Sequence, residues 1–167
     1  LLRVSRLSRR PNELQLVQVA ALLEEIKARF EYVLAEKRVQ LVIQGPLPVL
    51  TCDRVRLGEV FANLISNAIK YNDKPIPQIA ITCVLRDDGD YEFAVRDNGP
   101  GIAPEYHEKI FEIFQRLGKK EQQEGTGVGL TIVKKIVELN KGRIWVESAL
   151  GAGTAVHFTI PKDEGAG

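Results

Sequence analysis

The sequence predicts an α/β sandwich: a mixed β-sheet with about three helices on one face. Three observations predict it. A strand-like stretch followed by a helix-like stretch occurs twice in the first half. The helix-like stretches carry apolar residues at a period near 3.6. The second half supplies strand pairs around glycine-containing turns. A chain of 167 residues is long enough for one domain with a sizeable core.

Each element has its own signal. Residues 1–10, "LLRVSRLSRR", space Leu1, Leu2, Val4 and Leu7 as an amphipathic basic helix does, and Pro11-Asn12 breaks it. "ELQLVQV" alternates apolar and polar residues like a half-buried strand. "AALLEEIKARFEYVLAEKR" repeats Leu22, Leu23, Ile26, Phe30, Val33 and Leu34 at helical spacing without Pro or Gly. "VQLVIQ" is a second strand, stopped by "GPLP". Asp53 stands as N-cap before "RVRLGEVFANLISNAIKYN", whose broad apolar face runs from Val55 to Ile69. "PQIAITCVLRD" and "YEFAVRD" flank an Asp-Gly turn and read as a hairpin. Residues 97–126 are poor in periodicity, and a loop of that length in a compact domain tends to be a lid or binding loop. "VGLTIVKKIVELN" is helical again, and "RIWVES", "ALGAG" and "TAVHFTIP" form a last hairpin.

Composition narrows the function classes. A hydrophobic share of 44%, a charged share of 27% and a net charge of +1 fit a soluble globular domain and argue against nucleic acid as partner. No apolar run is long enough to cross a bilayer. Cys52 and Cys83 lack metal spacing and read as reduced core thiols. With no Met and an abrupt start, the chain is expected to be an excised fragment. On that expectation residues 1–10 are the end of a truncated helix, and 11–167 are the domain.

Four stretches carry chemistry. In "NLISNAIKYN", Asn63 and Asn67 lie four apart on one helix face, with Lys70 on a neighbouring line. Buried carboxamides need partners. They serve either as solvated or capping amides or as a pocket wall, whose oxygens suit a hard cation such as magnesium and whose lysine suits phosphate. In "DNGPGI", Asp97 ends a strand, where its carboxylate suits an exocyclic amine such as adenine's. Gly99 and Gly101 permit a close approach by a flat ligand. The same residues also make an ordinary turn. "GTGVGL", residues 125–130, runs into a helix and offers backbone N–H groups to an anion. "FEIFQRL" carries Phe111 and Phe114 to anchor a mobile segment, and Arg116 to swing toward phosphate.

These stretches, in this order, resemble the N, G1, F and G2 boxes of the catalytic ATP-binding domain of sensor histidine kinases, within the GHKL group. The likeness runs over roughly residues 13–161, and "YNDKP" and "FQRL" are similar to phytochrome-like kinases. The resemblance implies a Bergerat-type fold, with ATP and Mg²⁺ as cofactors. It implies that Asn67 holds the metal and that Asn63, Lys70 and Arg116 act at the phosphates. It implies that Tyr71 lines the ribose or adenine and that Asp97 takes the adenine amine. Gly99, Gly101 and Ile102 shape the base pocket, and Gly125, Thr126, Gly127, Val128, Gly129 and Leu130 wrap the phosphates. Thr154 supports Asp97 through water. Partners implied are a phosphoacceptor-histidine dimerisation domain of the same protein and a response regulator. The full-length protein is then a homodimer, the fragment a monomer, and this domain cytoplasmic.

The resemblance meets one departure. The phosphoacceptor histidine belongs to an upstream helical hairpin, whereas His107 lies in a loop and His157 in the final strand. The substrate histidine is therefore expected to lie outside this chain. Alternatives with the same boxes are a GHKL ATPase, an anti-sigma-factor-like serine kinase and a nucleotide-sensing module without catalysis. Where the ATPases place a Glu base, this chain has Asn63, and an amide cannot accept a proton as a base does.

Overall fold

A computed structural model describes residues 11–112 and 128–162. The expected helix over 1–10 lies outside them. The elements in order are β1 (Leu14–Gln18), α1 (Val19–Arg29), α2 (Glu31–Glu36), β2 (Gln40–Ile43), β3 (Val49–Asp53) and α3 (Arg54–Lys70). There follow β4 (Gln78–Leu85), β5 (Tyr91–Asp97), two short 3₁₀ turns (Pro104–Tyr106 and Lys109–Phe111), α4 (Val128–Leu139), β6 (Ile144–Ser148) and β7 (Thr154–Ile160). β2, β4, β5, β7 and β6 form a five-stranded sheet in that order, in which β2 runs parallel to β4 and all other pairs are antiparallel. The mixed sheet with helices against one face is the architecture expected.

One local expectation is corrected, and the structure adds two features to it. The periodic run 20–38 is two helices, because the chain turns at Phe30. β3 had no signal of its own and pairs antiparallel with β1 in a separate two-stranded sheet. That pairing also sets which side of β1 faces inward. Val17 lies opposite Leu50 on the core side, so Leu14 and Leu16 point outward, 61% and 76% exposed. The alternation located the strand, but its partner chose the buried face.

α3 fixes the helical layer on the sheet. Phe61 meets Phe93 edge-on at 5.5 Å and Phe158 at 5.4 Å, while Phe93 and Phe158 stack at 5.3 Å. Such aromatic pairs add to what area burial alone provides. Leu57, Val60, Leu64, Ile65 and Ile69 extend the same buried face. Asp53 caps the helix as expected, its Oδ1 accepting the Arg56 amide at 3.1 Å. α1 approaches at Gly58, where a Cβ would lie 3.5 Å from Leu22 Cδ1.

His157 alternates with Phe158, so it lies on the opposite side of the sheet. It is buried there under Trp145, stacked at 5.2 Å, with Nδ1 3.0 Å from Glu92 Oε2. It is a strand histidine, as expected. Cys52 and Cys83 are free thiols, and burial pushes them up to about 11 and about 12. No described helix is long and apolar enough to cross a membrane.

α4 ends through Lys141 at φ 61, and the Gly142 amide donates back to the Val137 carbonyl at 2.9 Å. A left-handed residue with a Cβ costs about 1 kcal/mol that glycine avoids. Lys141→Gly is therefore expected to raise the melting temperature by about 2–4 °C, checked by thermal unfolding; an unchanged or lowered value contradicts the assignment.

Candidate functional site

The site is built along the last turns of α3, the end of β5 and the start of α4. On α3, Asn63 and Asn67 share one half-buried line, opposite the apolar face. Asn63 Nδ2 donates to the Glu59 carbonyl at 2.7 Å. Its Oδ1 faces the first turn of α4: a Cβ on Gly129 would lie only 3.0 Å from it. Any larger residue at 129 has to push against Asn63. Gly129 therefore lets two helices close on a polar side chain. Leu130, next to it, packs against the core. The Asn67 carbonyl accepts the Tyr71 amide at 3.1 Å and ends the helix, leaving Tyr71 partly exposed at its C-cap. Lys70 is exposed, with Nζ 5.9 Å from the centre of the Tyr71 ring.

Asp97 ends β5 at the centre of the sheet, between β4 and β7. Its Oδ1 accepts the Gly99 amide at 2.9 Å. Burial pushes its carboxyl above the usual range, and backbone amides of Gly99 and Thr154 pull the other way. Gly99 packs tightly: its missing Cβ would lie 3.0 Å from Asp97 Oδ1, 3.6 Å from Asn72 Cα and 3.7 Å from the Tyr71 carbonyl oxygen. The end of α3 thus closes directly on the Asp97 loop.

The loop 97–102 also docks on the β6–β7 hairpin. The close approach at Gly101, expected to serve a ligand, is made by protein backbone. With φ +80, its Cβ would fall on the Ala149 carbonyl. Gly151 donates its amide to the Pro100 carbonyl at 2.7 Å. A Cβ on Gly153 would strike the Asp97 carbonyl. Ile102 donates its amide to Ser148 Oγ at 2.7 Å, and its carbonyl lies 2.9 Å from His107 Nε2. Ser148 Oγ donates to the Gly153 carbonyl and lies 2.8 Å from Thr154 Oγ1. Thr154 therefore reaches Asp97 through its main-chain amide, while its hydroxyl is engaged by Ser148.

Ser148 and His107 were missed as supports of the site. The only signal in sequence for Ser148 is its position opposite Thr154 across a short hairpin. Phe111 is buried, and Thr131 Oγ1 on α4 donates to the Phe111 carbonyl at 3.0 Å. Arg116, Gly125, Thr126 and Gly127 lie outside the described residues, as do Phe114 and the side chain of Val128, the first residue of α4. An open groove of about 570 Å³ between α1, α2 and β2, lined by Glu24, Lys27, Glu31 and Leu41 among others, shares no residue with this site.

The sequence profile described as "Histidine kinase-, DNA gyrase B-, and HSP90-like ATPase" matches residues 52–164. Cyanobacterial phytochrome A of Nostoc is 43% identical over 88% of this chain and 19% of its own length. The adaptive-response sensory kinase SasA of Synechococcus elongatus is 38% identical over 83% of this chain and 35% of its own. The chain thus spans about a fifth of the phytochromes it matches. Among solved structures, the catalytic domain of histidine kinase ThkA superposes with a TM-score of 0.77 at 30% identity, over 90% of this chain and 96% of that one. Full-length ShkA in complex with AMPPNP superposes with a TM-score of 0.83 at 29% identity, over 96% of this chain and 34% of that one.

A raised carboxyl sets the sign of a stability test. Asp97 favours the fold below the ordinary carboxylate pKa, and that contribution is lost as pH rises through its raised value. Near neutral pH the ionised, partly desolvated group then weighs against the ligand-free fold. Asp97→Asn is expected to raise the melting temperature of the ligand-free chain at pH 7, the gain vanishing near pH 3.5, where both side chains are neutral. A pH-independent difference contradicts this. With the comparisons added to this geometry, the chain belongs to the histidine kinase-, DNA gyrase B- and HSP90-like ATPase family, as an ATP-binding domain of its histidine-kinase branch.

Proposed function

We propose that this domain binds Mg-ATP and, in a longer protein, directs the γ-phosphoryl group to a histidine on an upstream dimerisation domain, from which a response regulator takes it. The observation that carries this is the spacing of two kinds of polar group along α3. Tyr71 and Asn72 abut the Asp97 loop, and Asn63 abuts the start of α4 two turns away, about 12 Å along the helix axis. A carboxylate at one end suits an adenine amine. Carboxamides and a helix N-terminus at the other suit phosphates and their cation. Histidine kinase ThkA has been crystallised with the response regulator TrrA, and a chain similar to this one is the natural source of the same partnership.

Among the described residues no group of three or more His, Cys, Asp or Glu forms a metal site. A magnesium ion that arrives with the triphosphate would need few protein ligands, and Asn67 would supply one. When bound, the ion neutralises charge on the phosphate oxygens. The chain's own work is placement. Asp97 orients the base, Asn63 is held by its bond to Glu59 to face the phosphate end, and Lys70 brings positive charge to that end; Arg116 joins them from outside the described residues. None of these groups has to abstract a proton, because the acceptor is an imidazole nitrogen. Asn63 cannot activate water as a carboxylate does, so hydrolysis without the acceptor is slow.

Calorimetric titration is expected to show ATP binding that tightens with Mg²⁺. Asn67→Ala should remove the Mg²⁺ increment, and Asp97→Asn should weaken ATP binding by about tenfold or more, the effect of a charge-assisted hydrogen bond. The isolated chain should release phosphate slowly and not phosphorylate itself, and adding the histidine-bearing hairpin domain should yield phosphohistidine. Unchanged ATP affinity in Asp97→Asn rejects the adenine assignment. A full Mg²⁺ increment in Asn67→Ala rejects the metal assignment. Fast phosphate release by the chain alone favours an ATPase instead.

A further inference from the structure

Asn98 stands between the carboxylate and the first glycine of "DNGPGI", and its carboxamide holds a neighbouring segment. Its Oδ1 accepts from Asn72 Nδ2 at 2.8 Å and from the Gln78 amide at 2.8 Å. Its Nδ2 donates to the Ile76 carbonyl at 3.2 Å, and its main-chain amide donates to the Gln78 carbonyl at 3.2 Å. Asn72 Oδ1 in turn accepts the Lys74 amide at 2.9 Å. One side chain thus reaches three points on the stretch 72–78. That stretch joins α3 to β4, contains Pro75 and Pro77, and has no regular secondary structure before Gln78, the first residue of β4.

The stretch begins where the site narrows. The Tyr71 carbonyl oxygen and Asn72 Cα stand 3.7 and 3.6 Å from the point a Cβ of Gly99 would occupy, and Asp97 Oδ1 stands 3.0 Å from that same point. A shift of 71–72 therefore changes the space beside the carboxylate. Asn is suited to hold it, because it accepts and donates from one short side chain. Asp in its place would keep the acceptor and lose the bond to Ile76, and Ala would lose all three side-chain bonds.

We propose that Asn98, with Asn72, is a positioning residue that sets base selectivity: the clasp holds the Tyr71–Asn72 wall at the distance from Asp97 that admits an amino-bearing purine. It rests on the nucleotide reading above and adds to it a determinant of ATP over GTP. None of the clasp's bonds ends on the Asp97 carboxylate or on the Asn67 side chain. Loss of the clasp should therefore appear in the choice of base and not in the response to Mg²⁺.

The test is titration of the full 167-residue chain and its variants with ATP and with GTP, with and without Mg²⁺, alongside far-UV circular dichroism. Asn98→Ala is expected to weaken ATP binding about tenfold, as for one net hydrogen bond, with GTP affinity held within about twofold and the Mg²⁺ increment unchanged. Asn72→Ala, which keeps the Gln78 and Ile76 bonds, should show a smaller change in the same direction. Asn98→Asp should fall between Asn98→Ala and the unsubstituted chain. The double Ala variant should lose less than the sum of the single losses, because the two residues share a bond. An unmoved ATP-to-GTP preference in a folded Asn72→Ala or Asn98→Ala chain overturns the proposal, as do strictly additive losses. Failure of the unsubstituted chain to bind ATP overturns the nucleotide reading first, and this proposal with it.

Discussion

A carboxylate half withdrawn from water at the end of a central strand is the constraint around which this domain is arranged. Asp97 lies where β4, β5 and β7 run side by side, and burial works against its ionised form. The surroundings offset part of that with the Gly99 and Thr154 amides. Both amides depend on close backbone packing, at Gly101 against Ala149 and at Gly153 against Asp97 itself. Ser148 then joins Ile102, Gly153 and Thr154 through one hydroxyl. A group that weighs against the ligand-free fold persists when its neighbours over-determine its position, which is the usual condition at functional sites.

The helix that faces Asp97 has two jobs, and its sequence separates them by face. Its apolar line, centred on Phe61, locks onto Phe93 and Phe158 of the sheet. That aromatic contact decides where Asn63, Asn67 and Tyr71 come to lie relative to the end of β5. Close packing tolerates little drift, so core contacts on one side of α3 set distances on the other. The start of α4 meets the same helix at Gly129, where the absence of a side chain is what lets Asn63 face it. Packing and site are therefore one problem: the span from the Asp97 loop to α4 is measured out by a rigid helix.

This arrangement suits chemistry that consists mainly of placement and charge. Phosphoryl transfer asks little covalent participation of the protein. The residues proposed for the site are a carboxylate, two carboxamides, a lysine and glycine-rich backbone, and none of them has to abstract a proton on that reading. The chain spans about a fifth of the phytochromes it matches, and on the proposed reading its part in the reaction is the nucleotide end.

By itself the sequence determined the main elements, the apolar face of α3, its Asp53 cap, the hairpins and the glycine-bearing boxes. Each is announced by local periodicity or by backbone chemistry that few residues supply. It also placed Asn63 and Asn67 on one helix face, since four residues make about one turn. Only the tertiary structure decided that Val17 and not Leu16 faces inward, that the chain turns at Phe30, and that 49–53 is a strand. It decided too that Gly101 makes room for a hairpin and that Ser148 and Asn98 brace the loop beside Asp97. Periodicity reports which residues favour burial, but not which distant surface arrives to bury them. Those outcomes rest on contacts between residues tens of positions apart, where geometry selects the partner.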